Sequence, residues 1–430
     1  MIAALAPFRL RPFRFQWTAD LCTAWALEME TLILGWYVLV ETGSVTLLTV
    51  FGSLQFIGTL VSPMLGALGD RLGLRNVLAA MRLSYALFAA VILGFALAGR
   101  LDAWVVIVVA ALCGLIRPTD IGMRSALVGA TVPPAMLVSA MGISRTTMDS
   151  AKVGGALAGA GFMAAFGMVP AYITILVIYG LGVLLTLRVD GGHAPRHAPP
   201  EAGSAAPDRA ASGVGAAVAA PRSTPLRDLR EGLAYVWQTP RLLAAMTLAA
   251  LVNLTAFPLT GGLMPYIARD VFQLDQTGLG FFVASYAAGA LIGSVLISLV
   301  GPRVRPGWMM LGATLVWYLC LIGFVLSTTV PAAIAGLVAA GIAQSLSMLS
   351  LAILLLRTSE ARFRGRIMGV RMLAIYPLPL GLLIAGALIP VTGFVSAALG
   401  MIALGMLLLG LLAFAWRADL LPRRAPANQR

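Results

Sequence analysis

The chain has 430 residues, of which 60% are hydrophobic and only 11% are charged, and its net charge at pH 7 is +13. Soluble domains contain roughly 45–50% apolar and about 25% charged residues, so this composition excludes a water-soluble globular protein. Apolar runs long enough to cross a bilayer core of about 30 Å recur along most of the sequence. They predict an all-α, multi-pass membrane protein.

Twelve apolar segments are long enough to be transmembrane helices, and they fall into two groups of six. The predicted spans are 15–41, 46–68, 76–98, 103–125, 136–164 and 168–188, then 241–265, 278–300, 307–327, 331–356, 365–389 and 393–416. We therefore expect an N-terminal six-helix bundle in residues 1–188, a cytoplasmic linker in 189–240, a C-terminal six-helix bundle in 241–416 and a cytoplasmic tail in 417–430.

The linker has two parts of different composition. Residues 189–224 are rich in Ala, Pro, Gly and Ser, which predicts a flexible connection without a core. From Pro225 onward, Leu229, Leu233 and Trp237 share one helical face, and charged residues occupy the other. This pattern predicts a short amphipathic helix on the membrane surface.

Basic residues are concentrated in alternate connections between the apolar segments. They cluster before the first segment, after the second, in the linker, and before and after the last two segments. The positive-inside bias places such connections in the cytoplasm. We therefore expect both termini in the cytoplasm, an even number of helices, no nucleic-acid partner, and a bacterial inner (plasma) membrane as the location.

The loop between the second and third segments is short and highly charged. It contains Gly66, Asp70, Arg71, Gly73 and Arg75 in the pattern G-x-x-x-D-R-x-G-x-[RK]. This pattern resembles the signature between the second and third helices of the major facilitator superfamily of transporters. The resemblance implies two bundles that rock around a central site. It also implies that these five residues form a gating motif, with Asp70 acting as a latch at the eleventh helix.

Other segments are similar to the efflux branch of the superfamily that includes the enterobactin exporter. They are the Gly43-Ser44 pair, the amphipathic linker helix and the basic stretch from Ser359 to Gly369. One feature differs from drug–proton antiporters, because the fifth segment lacks their glycine-proline motif: Asp149 to Gly159 contains no proline.

Small residues repeat every four positions in several segments. Ala151, Gly155 and Gly159 form such a stripe in the fifth segment, and Gly289 and Gly293 belong to another in the eighth. Stripes of this kind allow helices to approach closely in lipid. The resemblance implies that the fifth helix faces the eighth and the second faces the eleventh. Packing within one bundle is the alternative.

Two glutamates lie near the middle of the first segment. Glu28 and Glu30 are two residues apart, or about 200° around a helix, so they cannot share one face. We expect one to line the central cavity and the other to meet a neighbouring helix. Ionisable groups inside the membrane are costly and are usually functional. Glu28 and Glu30 are therefore the first candidates for proton coupling, and Asp149 is the third.

The remaining intramembrane charges form candidate pairs. Arg117 and Asp120 are three residues apart and are expected to pair, while Arg145 and Lys152 flank Asp149 on one stripe. The latter triad is either a structural charge network or a set of ligands for a charged substrate. Further candidates are Asp20 in the first segment and, in the second half, Asn253, Gln344 and Tyr376.

The sequence lacks the patterns of several other function classes. There is no phosphate-binding loop, and Cys22, Cys113 and Cys320 have no metal-ligand spacing. His193 and His197 both fall in the proline-rich linker. We therefore expect no metal, no cofactor and no enzymatic activity.

The favoured hypothesis is proton-coupled export of a small organic molecule, such as a drug, metabolite or siderophore, by alternating access. Its partners would be the substrate, protons and the lipid bilayer, with the protein acting as a monomer. An uptake carrier or a lipid or lysophospholipid flippase of the same fold is one alternative. A non-transporting membrane sensor or scaffold is another.

Overall fold

The computed structural model describes residues 5–59, 72–189, 225–300, 305–360, 367, 370–371 and 373–420. These residues are almost entirely helical and contain no β-strand. The helices of the first half are α1 (Arg11–Thr42), α2 (Val45–Leu54), α3 (Leu74–Leu97), α4 (Ala103–Thr131), α5 (Pro134–Phe166) and α6 (Met168–Leu187).

A separate helix, α7 (Pro225–Gln238), precedes the second half. The helices that follow are α8 (Pro240–Thr255), α9 (Gln276–Val300), α10 (Pro306–Leu326), α11 (Val330–Thr358), α12 (Pro377–Thr392) and α13 (Phe394–Ala415). In α7, Val236 is buried while Leu233 and Trp237 are exposed. Exposed apolar side chains on α7 agree with the predicted helix on the membrane surface.

The architecture is the predicted one, an all-α membrane protein with twelve membrane helices in two six-helix bundles. Among the described residues, eight helices are long and apolar enough to cross a bilayer. Three further apolar helices, α2, α8 and α12, are shorter. The charged helix α5 is the twelfth; its 33 residues also exceed the length needed for a span.

Three predicted spans are interrupted. The second ends as an α-helix at Leu54 and continues as a 3-10 turn over Ile57–Thr59. The seventh was predicted as one helix over 241–265, but α8 ends at Thr255 and is followed by short helical pieces up to Val271. Pro258 lies in this break, where its missing N–H cannot continue the helix. The eleventh is predicted over 365–389, yet α12 begins only at Pro377, after a turn over residues 374–376.

The turn between α1 and α2 is short because two residues terminate and restart the helices. Gly43 has φ +62° and its N–H bonds to the Leu39 carbonyl, 2.9 Å away. Glycine adopts this left-handed conformation without a steric penalty. Ser44 then caps α2 by accepting a 3.2 Å hydrogen bond from the Leu47 N–H.

The two halves meet along two seams, as the superfamily resemblance implied. Helix α5 packs against α9, and α2 packs against α12. At the first seam, Gly280 lies against Ala160. At the second, the Thr46 hydroxyl donates to the Gly386 carbonyl at 2.9 Å.

The predicted small-residue stripes, however, pack inside each bundle. Gly155 and Gly159 lie against α1, at Trp25 and Met29. Gly289 and Gly293 lie against α11 in the same way. The alternative of packing within one bundle is therefore correct for these stripes, and other small residues form the seams.

One end of the molecule, where α1 ends and α2 begins, is closed by contacts between the halves. We call it the sealed end. Arg269 donates from Nη1 to the Leu39 carbonyl at the C-terminus of α1, over 2.9 Å. A cation is favourable there because the last carbonyls of a helix carry partial negative charge. The Thr46–Gly386 hydrogen bond lies at the same end.

Candidate functional site

Glu28 forms an ion pair with Arg117 in the interior of the first half. The Arg117 Nη2 atom lies 3.2 Å from Glu28 Oε1, and both side chains are half-buried. Arg117 also donates from Nη1 to Gln55 Oε1 at 2.7 Å. Helix α1, the residue that follows α2, and helix α4 thus each contribute one polar side chain to this site.

Glu30 points to the other side of α1, as the angular separation predicted. It is only 4% exposed, and its Oε2 atom accepts a 2.7 Å hydrogen bond from the Tyr179 hydroxyl of α6. One of the two glutamates thus meets a neighbouring helix. Its second carboxylate oxygen, Oε1, has no hydrogen-bond partner among the described residues.

A small cavity is lined both by Glu30 and by Arg117, the partner of Glu28. Its volume is about 30 Å³, and its lining includes Glu30, Gln55, Cys113 and Arg117. A site that holds a water molecule needs roughly 10–15 Å³ of such volume and polar partners. The cavity is therefore large enough for a water molecule beside Glu30 and Arg117, although most of its lining is apolar.

The predicted pair between Arg117 and Asp120 is not formed. Arg117 turns toward Glu28, whereas Asp120 lies 2.5 Å from Arg124 Nη2, one helical turn further along α4. Spacings of three and four residues both allow an ion pair on a helix. Here the side chain of Arg124 reaches Asp120, because both are buried on the inner face of α4.

Asp120 and Arg124 belong to a larger buried network, the four-charge network of Asp20, Arg82, Asp120 and Arg124. Asp20 of α1 is bonded to Arg82 of α3, and the Arg124 Nε atom lies 3.9 Å from the same carboxylate. Arg82 is 0% exposed and is also bonded to the Thr186 hydroxyl. Two acids and two bases balance, so the network carries no net charge.

Sequence reasoning missed Arg82 and Arg124 as partners of these acids. Arg82 follows the basic connection between the second and third segments. Its position inside the apolar span 76–98 was the signal that it is buried. For Arg124, the signal was its four-residue spacing from Asp120.

The fifth helix carries its predicted charges on one stripe. Arg145 Nε lies 3.1 Å from Asp149 Oδ2, and the Arg145 side chain is 72% exposed. Lys152 is exposed and forms no ion pair within the described part of the chain. Asp149 thus pairs with Arg145, one of the two bases that flank it, and not with Lys152.

In the second half the predicted polar residues do not form one site. Asn253 donates to the Ala249 carbonyl of its own helix at 2.8 Å. Gln344 is half-buried on α11, and Tyr376 is half-buried in the turn before α12. No group of His, Cys, Asp and Glu able to hold a metal occurs among the described residues.

No family model matches the chain, and no curated protein matches it either. Several solved structures, however, match the chain. The nucleoside transporter NupG matches with a TM-score of 0.73 at 14% identity, covering 95% of this chain and 99% of the other.

Two further structures match over nearly their whole length. A bacterial homologue of the human lysosomal transporter Spinster, inward-facing and unoccupied, has a TM-score of 0.71 at 13% identity, with 97% and 100% of the two chains covered. The human organic anion transporter MFSD10 has a TM-score of 0.61 at 17% identity, with 94% and 99% covered. The chain has the major facilitator fold.

Within the major facilitator fold, the predicted gating motif is only partly described. Gly66, Asp70 and Arg71 lie outside the described residues, so the latch role of Asp70 stays a prediction. Gly73 has φ +85° and immediately precedes α3, which explains the glycine at this position of the motif. Arg75 donates to the Val189 carbonyl at 3.4 Å, which connects the start of α3 to the end of the first half.

Proposed function

We propose that the protein is a secondary active transporter of the major facilitator superfamily that exports a small organic molecule in exchange for protons. The observation that carries this proposal is the ion pair between Glu28 and Arg117, beside a cavity that Glu30 also lines. Charged groups inside a membrane bundle are expensive to maintain and mark substrate or ion pathways. Arg117 pairs with Glu28 and lines one cavity with Glu30, so it could move from Glu28 toward Glu30 when Glu28 binds a proton.

The coupling step follows from this geometry. Protonation of Glu28 would remove its charge and weaken the 3.2 Å contact with Arg117. Arg117 would then be attracted by Glu30, which lines the same cavity and already holds one hydrogen bond from Tyr179. Since Arg117 is on α4 and both glutamates are on α1, the exchange would shift two helices of the first half relative to each other.

Alternating access is supported by the contacts between the halves. Polar bonds close the sealed end, and each of them joins single side chains to backbone carbonyls. A few hydrogen bonds of this kind can break without unfolding either bundle. We further propose the enterobactin-exporter branch, a bacterial inner membrane, cytoplasmic termini and a monomeric protein, all from the sequence patterns.

The test is gradient-driven transport in proteoliposomes, using a compound first identified by thermal stabilisation of the purified protein across a metabolite and drug library. Glu28→Gln and Glu30→Gln should each reduce transport driven by a pH gradient to the protein-free background, while substrate exchange without a gradient persists. Glu41→Gln, an exposed acid at the end of the same helix, is the matched control and should behave as the native protein.

Normal pH-driven transport in both single variants and in the double variant would reject coupling through α1. Direction is measured separately, by comparing accumulation in inverted and right-side-out vesicles. Accumulation only in right-side-out vesicles would replace export with uptake.

A further inference from the structure

The charged stripe of α5 faces the second half of the molecule. Arg145, Asp149 and Lys152 follow one another at four- and three-residue steps, and the same stripe continues to Ala156 and Ala160. In the structure Ala160 lies against Gly280 of α9, with the Ala156 carbonyl beside it. The apolar part of the stripe is thus packed on the second half, and the charged part continues along that side.

The second half has a cation whose charge acts on Arg145. Arg371 lies within electrostatic range of Arg145, although the two residues belong to opposite halves. Arg371 is half-buried and forms no salt bridge within the described part of the chain. Like charges that face each other across a seam repel unless an anion lies between them.

The balance of charge here differs from that in the four-charge network. Arg145, Lys152 and Arg371 provide three cations, while Asp149 is the carboxylate of this group, paired with Arg145 at 3.1 Å. We call these four residues the α5 cationic cluster. Arg145 and Lys152 are both exposed, so this surplus of positive charge is accessible, and clustered cations attract anions.

We propose that the α5 cationic cluster binds the carboxylate or phosphate group of the transported molecule, so that the substrate is a soluble organic anion. Arginine guanidinium groups bind such groups through paired, charge-assisted hydrogen bonds. Arg145 and Lys152 would hold the anion from the first half and Arg371 from the second. This inference rests on the proposed transport function and names its substrate class.

An anion in this position also gives substrate binding a role in closure. Without it, Arg145 and Arg371 repel each other and oppose closure of the halves. With it, the same two residues attract one group from both sides. The substrate would therefore favour a conformation in which these parts of α5 and of the segment before α12 approach.

The experiment compares two dyes that share a ring system and differ in charge. Binding of carboxyfluorescein, an anion, and tetramethylrhodamine methyl ester, a cation, is measured by equilibrium dialysis against the purified protein in a neutral detergent, with protein-free micelles as the blank. The native protein should bind carboxyfluorescein. Arg145→Gln and Arg371→Gln should each weaken that binding by about tenfold or more, as expected for the loss of a charged hydrogen bond.

Arg100→Gln, an exposed arginine in the connection between α3 and α4, is the matched control and should leave binding unchanged. Unaltered dye binding in both cluster variants, tighter binding of the cationic dye, or binding of neither dye would overturn the anion site. Citrate should compete with carboxyfluorescein. Competition by short-chain phosphatidylglycerol and not by citrate would contradict a soluble anion and indicate a lipid headgroup.

Failure of this inference is distinct from failure of the proposed function. Transport of the cationic dye that still depends on Glu28 and Glu30 would reject the anion site and retain the proton-coupled transporter. Binding of carboxyfluorescein that depends on Arg145 and Arg371, without any effect of the α1 glutamates on transport, would support the anion site and reject the coupling.

Discussion

The two halves bury different kinds of polar side chain between their helices. The first half buries the four-charge network and, separately, Glu30. The second half buries neutral pairs, in which Tyr318 lies 2.6 Å from Thr255 and Ser347 lies 2.6 Å from Thr314. Among the described residues, the buried charged side chains all belong to the first half.

This difference indicates that the buried charges are not needed to hold six membrane helices together. The second bundle achieves that with hydroxyl groups, whose burial costs far less than that of ions. A buried ion pair is weak evidence for stability, because desolvation offsets much of its attraction. The buried charges of the first half therefore need an explanation other than helix packing, and proton coupling is the function that we propose for that half.

The largest effect on stability is expected from removing one charge of the four-charge network. Asp20→Asn leaves Arg82 without its carboxylate in a fully buried position. Breaking a buried pair in this way costs about 3–5 kcal/mol. The expected result is a large loss of free energy of unfolding, measured by thermal or denaturant unfolding of the purified protein in detergent.

The matched control is Asp149→Asn, whose partner Arg145 is largely exposed. Exposed pairs contribute about 0–1 kcal/mol, so this variant should be nearly as stable as the native protein. Equal effects of the two substitutions would show that burial of the network does not set its contribution, and the contrast between the halves would then lose its energetic basis.

A second change tests what the halves have in common, which is close helix packing at glycine. A Cβ at Gly289 would meet the Val338 carbonyl of α11, and one at Gly155 would lie 2.9 Å from the Glu28 Cβ atom of α1. Overpacking of this kind costs about 1–3 kcal/mol. Gly289→Ala and Gly155→Ala should therefore both lower the unfolding temperature, whatever the polarity of their half.

Gly161→Ala in α5 and Gly312→Ala in α10 are the controls, because nothing lies within 4 Å of a Cβ at either position. Replacing an unconstrained helical glycine by alanine stabilises by roughly 0.5–1 kcal/mol. If the packed and the open glycines respond alike, the close approach of α9 to α11 and of α5 to α1 is wrong.

The helices could be predicted from the sequence because hydropathy depends on each segment alone. The eighth and ninth predicted spans differ from α9 and α10 by a few residues. Pro258 predicts a bend in the seventh span, but because the apolar run continues through it, the sequence does not define where the helix ends and resumes.

The site was less predictable because its contacts join different helices. Glu28 and Glu30 were assigned to opposite faces from spacing alone, and the structure confirms that Glu30 meets α6. The partner of Arg117, by contrast, depends on how α4 is rotated toward α1. Spacing along one helix favoured Asp120, and tertiary packing selected Glu28 instead.

The smallest expected effect lies in the second half. Since the Thr255 hydroxyl donates to the Leu251 carbonyl at 2.9 Å, it accepts from Tyr318, and Tyr318→Phe removes that bond while Thr255 keeps its other partner. Hydrogen bonds between membrane helices contribute about 0.6 kcal/mol on average.

Tyr179→Phe in the first half removes a donor to the carboxylate of Glu30 and should cost about 1.5–3 kcal/mol, as bonds to charged groups do. Unfolding measurements on both variants compare the halves directly. An equal loss in the two would mean that Glu30 holds no charge in the folded protein, because a bond to a neutral carboxyl is then no stronger than the bond to Thr255.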